Sequence, residues 1–207
     1  MARMLKPDQT KYLAHFTKSQ RDNQGKVQLS AKKCLLKLLK EKTIIASSVP
    51  WTQAQAVCFT ECPWTSLIAH SKKYSPYGVG FSKEFIFANQ GAPALYIRRD
   101  VLGERDWKEC VEKSIYWAVT PFWPKFNPST RLEPYDECDY THEREWRTPR
   151  DLEFEESDIQ FVIVKAYDDI KDIKNVIPNI SLDKILTIQN YRKIEDLWPV
   201  HKIEITN

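Results

Sequence analysis

The residues best equipped for chemistry lie in one short run, His142 to Arg147, which reads HEREWR. Read as a strand, it puts Glu143 and Glu145 on one face, because successive side chains alternate. Two carboxylates side by side repel, which raises one pKa unless a cation or a task compensates. Their natural chemistry is to hold ribose hydroxyls or to face a developing cation. Arg144 and Arg147 are assigned to the opposite face, with Trp146 packing beside them. A salt-bridged edge strand is the structural alternative.

Two further stretches carry candidate ligand groups. KYLAHFT places His15 and Thr17 on an apolar strand, where an imidazole either sits satisfied in the core or faces a cleft. SPYGVGFSKEF, Ser75 to Phe85, follows Tyr74 and gathers Tyr77, Gly78, Gly80 and Ser82. Glycine lets another group approach the backbone, tyrosine stacks on flat rings, and serine offers a hydroxyl. A plain turn between core elements is the structural alternative. Cys58, Cys62, His70, Cys138 and His142 are zinc-ligand types, but their spacing lacks the tight pairs of a zinc ribbon, and no metal is expected. There is no glycine-rich phosphate loop, HExxH pair or GxSxG elbow, which argues against P-loop enzymes, zincins and α/β hydrolases.

The elements that must position these groups follow from pattern. SAKKCLLKLLKEK predicts a helix capped by Ser30, with Leu35, Leu38 and Leu39 on one face. Residues 56–62 alternate as a strand, Pro63 opens a helix to Tyr74, and APALYIRRDV holds a short strand. Trp107, Val111, Ile115 and Ala118 mark one face of a helix in DWKECVEKSIYWAV. Residues 120–141, rich in proline and aromatics, read as a long irregular loop. EREWR and IQFVIVKAY read as paired strands. No repeat or linker divides the 207 residues, so one α+β domain over 1–207 is expected.

Composition narrows the class. Hydrophobic residues make up 42% and charged ones 29%, a globular balance. No run of 18 apolar residues is present and the N-terminal stretch lacks a signal peptide's apolar core, so no membrane partner is expected. Five cysteines at irregular spacing fit a reducing cytoplasm. The net charge of +3 is uneven: residues 1–42 hold 11 Lys/Arg against 3 Asp/Glu, whereas 133–169 hold 4 against 13. The basic arm is suited to nucleic-acid phosphates, to a solvated face, or to the acidic half of the same chain.

In order, HFT, LLKEKTIIAS, VCFTECPWTSLIAH, YGVGFSKEF, GAPALYI and HEREWR resemble AbiGi, a family of bacterial abortive-infection proteins described as antitoxins in phage resistance. The resemblance spans Lys11 to Val164 and implies a role in phage defence with a toxin or antitoxin partner. More distantly, HFT and EWRTP resemble ADP-ribosyltransferases of the DarT kind, and EREW resembles the E-x-E motif of other ADP-ribosyltransferases. That likeness implies a split β-sheet core and NAD as substrate. Glu145 would be catalytic beside Glu143, stabilising an oxocarbenium-like ribose. His15 and Thr17 would hold ribose and amide, Tyr74 or Tyr77 would stack on nicotinamide, and Arg98 would stand for the DarT arginine. Nucleic acid at residues 1–42 would be one acceptor. The leucine-rich helix lacks the glycine usual at its end. The rival expectation is a non-catalytic antitoxin that covers a toxin, with PFWPKFNP (121–128) as part of its surface.

Overall fold

The computed structural model describes residues 10–61, 74–98, 111–122 and 139–189. Helices and strands are mixed, giving an α+β fold. The chain divides into two compact units, one of residues 1–13, 43–62 and 82–154, the other of residues 14–42, 63–81 and 155–207.

The second unit is organised around the leucine helix. Helix α1 (Ala31–Glu41) starts at Ser30, whose side chain accepts the Lys33 N–H, and buries Leu35, Leu38 and Leu39. It ends at Lys42, which adopts φ +52° and donates its N–H to the Leu38 carbonyl. A lysine thus takes the left-handed C-cap that glycine usually fills, at some steric cost. Helix α3 (Asp169–Val176) packs with α1 and buries Ile173.

The strands of this unit include β1 (Tyr12–Phe16), β7 (Gly78–Ser82), β13 (Phe161–Val164) and β14 (Ile185–Thr187), in the order β14-β13-β7-β1. β13 is buried along its whole length and lies parallel to β14 and antiparallel to β7. Ala14, Phe161, Ile163 and Ile188 form one core cluster, with Phe16 and Leu186 against it. A short hairpin, β2 (Gln20–Arg21) and β3 (Val27–Leu29), precedes α1.

The YGVGFS glycines receive their explanation here. They lie in a strand, and each is closely approached by protein. A Cβ on Gly80 would run into the Phe161 ring, and one on Gly78 would sit 2.7 Å from the His15 carbonyl oxygen.

In the first unit, β6 (Gln55–Thr60) pairs antiparallel with β11 (Glu145–Thr148), and β11 pairs on its other side with β8 (Ala92–Pro93). β5 (Ser47–Ser48) pairs antiparallel with the start of β6, and β4 (Thr43–Ile44) pairs with β12 (Leu152–Glu153). β9 (Leu95–Arg98) and β10 (Val119–Phe122) form a parallel pair. Helix α2 (Lys83–Ala88) is capped by Ser82, which accepts the Phe85 N–H, and buries Ile86.

Several expectations change. The helix expected over 106–119 is, in its described part, a 3-10 segment at Lys113–Ala118 that gives way to β10, so Thr120 is not the start of a loop but the second residue of a strand. APALYIRRDV divides into β8 and β9 around Ala94. EREWR and IQFVIVKAY do not pair with each other: β11 lies between β6 and β8, and β13 between β7 and β14. The helix read from Pro63 lies almost entirely outside the described residues.

Candidate functional site

The strand β11 begins at Glu145, and this decides the geometry of HEREWR. Glu143 closes a 3-10 turn (Thr141–Glu143), and Arg144 follows it at φ +45°. The alternation drawn through Glu143 therefore fails, because Glu143 and Arg144 are not on the strand. Arg147, two residues from Glu145, shares the face of Glu145; its assignment to the opposite face is corrected.

On that face Glu145 and Arg147 form a bidentate ion pair. Arg147 Nε donates to Glu145 Oε1 at 2.9 Å, and an Nη2 N–H donates to Oε2 at 2.6 Å. The second Nη2 N–H goes to Thr120 Oγ1 at 2.7 Å, while Nη1 donates to the carbonyls of Trp117 at 3.1 Å and Val119 at 3.0 Å. These five contacts match the five N–H donors of a guanidinium. Arg147 is 1% exposed; its bonds to Trp117, Val119 and Thr120 fasten β11 to the 117–120 segment, while Glu145 balances its charge. Burial alone would lower the Arg147 pKa, but the hydrogen bond and charge of Glu145 reverse this and hold it above its ordinary value.

The neighbours complete a dense polar and aromatic cluster. Trp51 lies with its ring 5.7 Å from the Arg147 guanidinium and donates its indole N–H to the Val119 carbonyl at 2.6 Å. It also stacks on Tyr140, whose carbonyl accepts the Tyr96 hydroxyl at 2.9 Å. Burial and then the Glu145 charge raise the Tyr96 pKa. Cys58 faces Arg147 across the β6–β11 pair. Burial, with the Glu145 charge adding to it, pushes the Cys58 thiol up to about 12, so it stays protonated and a poor nucleophile.

Glu143 is buried at 6% exposure. Its carbonyl accepts the Thr60 hydroxyl at 2.6 Å, and its carboxylate lies 3.9 Å from His142 Nε2. Nearby, Lys83 Nζ is 2.6 Å from the buried Glu61 carboxylate and stands 5.6 Å over the Trp146 ring. Trp146 thus has a lysine of α2 over its ring and lies on the face opposite Arg147.

The remaining predicted residues have mostly structural partners. Ser82 is the cap of α2. Arg98 ends β9, exposed, in register with Phe122. In the second unit, the Thr17 hydroxyl bonds the carbonyls of Ala31 and Tyr77 at 2.9 and 3.2 Å, and its N–H bonds the Tyr77 carbonyl at 2.9 Å. Tyr77 donates its hydroxyl to Asp169 at 3.2 Å. Tyr74 stacks on Phe16 and carries the Lys18 ammonium 4.6 Å above its ring. His15 is half-buried on β1. Within the second unit, then, Thr17 and Tyr77 lie together, joined by bonds from the Thr17 N–H and hydroxyl to the Tyr77 carbonyl. A groove of about 580 Å³ in the first unit, lined by Gln55, Asn89, Arg150 and Asp151 among others, involves none of the candidates.

The basic arm is partly internal. Lys32 Nζ sits 2.7 Å from Asp169 and 2.5 Å from Asp172, and Lys42 Nζ lies 2.6 Å from Glu155. Of the zinc candidates, Cys62, His70 and Cys138 lie outside the described residues; among the described ones no group of metal-ligand side chains gathers. PFWPKFNP falls mostly outside the described residues as well. Among those residues, too, no helix is long and apolar enough to cross a membrane.

Part of the chain matches AbiGi. Residues 30–120 fit the family model described as "Putative abortive phage resistance protein AbiGi, antitoxin". The match runs from the cap of α1 into β10, narrower than the Lys11–Val164 span of the sequence resemblance, and it leaves Glu143, Glu145 and Arg147 outside. No curated protein and no solved structure matches the chain. The likeness to ADP-ribosyltransferases accordingly rests on the order of short motifs.

Proposed function

We infer that the chain acts in abortive phage resistance as an antitoxin-type binding protein, one that neutralises a partner toxin and does not itself turn over a substrate. The AbiGi match over residues 30–120 carries this reading. The side chains support it. Both oxygens of Glu145 accept from Arg147, and the Thr17, Tyr77 and Ser82 hydroxyl groups are engaged by carbonyls, a carboxylate and a helix N-terminus. A carboxylate fixed to a saturated guanidinium already has its cation, so it has less negative charge to offer a developing one. The test is co-expression with proteins encoded by neighbouring genes that arrest growth when expressed alone. Restored growth, with the two proteins co-purifying, is the expected result. Persistent toxicity at full soluble expression of the chain would overturn the reading.

A second reading is an NAD-dependent ADP-ribosyltransferase or NAD glycohydrolase using Glu145 and Glu143, with nucleic acid at residues 1–42 as one acceptor. One observation favours it: burial raises the Tyr96 pKa most, and the charges of Glu145 and then Glu143 add to it, so both carboxylates lie near one tyrosine. Nicotinamide release from NAD separates the two readings.

A further inference from the structure

Lysines within and at the end of α1 fall into two groups. Lys32 and Lys42 are neutralised internally, by Asp169 with Asp172 and by Glu155. Lys33, Lys37 and Lys40 are exposed. They stand at i, i+4 and i+7, which places them in one stripe extending roughly 10 Å along the helix at 1.5 Å per residue. Among the described residues, Lys33 and Lys40 form no ion pair, and Lys37 has only a distant one, 3.9 Å from the exposed Glu41.

The same unit continues the positive surface beyond the helix. Arg21 and Lys26 are exposed on the β2–β3 hairpin, and Lys18, whose ammonium lies over the Tyr74 ring, precedes it. That region is tied to the start of α1 by the Thr17 hydroxyl on the Ala31 carbonyl and by the Ala31 N–H on Ser19 Oγ at 3.1 Å. Asp22, the acid of the hairpin, is occupied by the N–H groups of Gln24 and Lys26 and by the Gln28 amide.

The chemistry of the face selects its partner. Protein interfaces are depleted in lysine and anchored by aromatic or apolar side chains at their centre. α1 contributes none of the exposed large hydrophobic residues. Single-stranded nucleic acid is held on aromatic platforms, and the stripe has no aromatic residue. A line of point charges without stacking groups suits the phosphates of a duplex. We propose that the Lys33–Lys37–Lys40 face of α1 binds the phosphate backbone of a nucleic-acid duplex without regard to sequence. This goes beyond toxin neutralisation, and it is independent of it.

The experiment measures anisotropy of a labelled 20-base-pair DNA duplex with the full chain. Three phosphate contacts give a slope of log affinity against log salt of about −2.7, which means roughly 40-fold weaker binding at 200 mM than at 50 mM salt. Lys33→Gln, Lys37→Gln and Lys40→Gln together are expected to weaken binding at least about 10-fold at 50 mM salt and to flatten that slope. Exposed lysines contribute little to folding, so the melting temperature should hold. Replacing the same three by arginine should retain binding, and Lys113→Gln in the other unit should leave it unchanged. Absence of binding at 50 mM salt, or a triple Gln variant that binds as the wild type does, would overturn the proposal. So would tighter binding to a single strand of equal length, or equal binding to polyglutamate, which would point to an acidic protein. Toxin rescue that survives the triple Gln variant leaves the antitoxin reading standing whatever the duplex result.

Discussion

Arg147→Met removes a fully used guanidinium and keeps a side chain of similar length. Glu145 then remains at 12% side-chain exposure without its counter-ion, while the Trp117 carbonyl and the Thr120 hydroxyl each lose the donor they shared with it. Removing one partner of a buried ion pair costs about 3–5 kcal/mol, most of it the penalty of the charge left behind. For a chain of this size, each kcal/mol lowers the melting temperature by about 2–4 °C, so the expected fall is roughly 6–20 °C. Arg147→Lys should lie between the wild type and Arg147→Met, because an ammonium keeps the charge but cannot reproduce the planar fork. The double variant Arg147→Met with Glu145→Leu should recover part of the loss, since neither charge is then buried alone. Urea unfolding of the four proteins measures this directly. Arg147→Met within about 1 kcal/mol of the wild type, or a double variant no more stable than the single one, would refute the reasoning.

Two further outcomes follow from the second unit. Gly80→Ala drives a methyl group into the Phe161 ring and is expected to destabilise by about 1–3 kcal/mol, as overpacking does; Phe161→Leu should relieve part of this, and thermal melts of the single and double variants check it. Asp169 has its pKa raised by burial but lowered further by Lys32, the Ala166 N–H and Tyr77, for a net fall. A depressed carboxylate contributes stability above its unfolded pKa and loses it as pH falls through the folded one. Asp169→Asn is therefore expected to be less stable than the wild type near neutral pH by roughly 1–3 kcal/mol, as for hydrogen bonds to a charged group. The gap should close in strong acid, below the ordinary aspartate range, and urea midpoints at neutral and acid pH test both parts.

The leucine helix was legible because two independent signals agree, a serine cap and apolar residues at helical spacing. Its end at Lys42 was legible too, but not the left-handed turn there, because a lysine in that cap leaves no trace in composition. The glycines of YGVGFS signalled close approach correctly, yet the sequence could not say by what: a phenylalanine from β13 and the backbone of β1 lie 81 and 63 residues away. HEREWR shows the limit most clearly. Its i, i+2 pairing of Glu145 with Arg147 is a simple consequence of strand alternation, which placing Arg147 opposite Glu145 broke; starting the strand two residues too early misplaced only Glu143 and Arg144. The Trp117–Thr120 partners of Arg147 had no local signal, since the 113–118 segment carries helical spacing and closes as a 3-10 turn before a strand. Likewise, the acidic excess at 133–169 indicated partners for the basic arm, but only the fold assigns Lys32 and Lys42 to it and leaves Lys33, Lys37 and Lys40 facing outward.

The distinction between a binding protein and a transferase comes to rest on Glu145. Purified chain is incubated with NAD labelled in both the nicotinamide and the adenine, alone and with a duplex DNA or RNA, and free nicotinamide and labelled macromolecule are read together. The expected result is release no faster than in buffer, for the wild type and for Glu145→Gln alike, with the variant differing only in its melting temperature. Nicotinamide release that Glu145→Gln abolishes while its fold and melting temperature are preserved would contradict the assignment of Glu145 to structure and return the chain to the NAD-dependent enzymes.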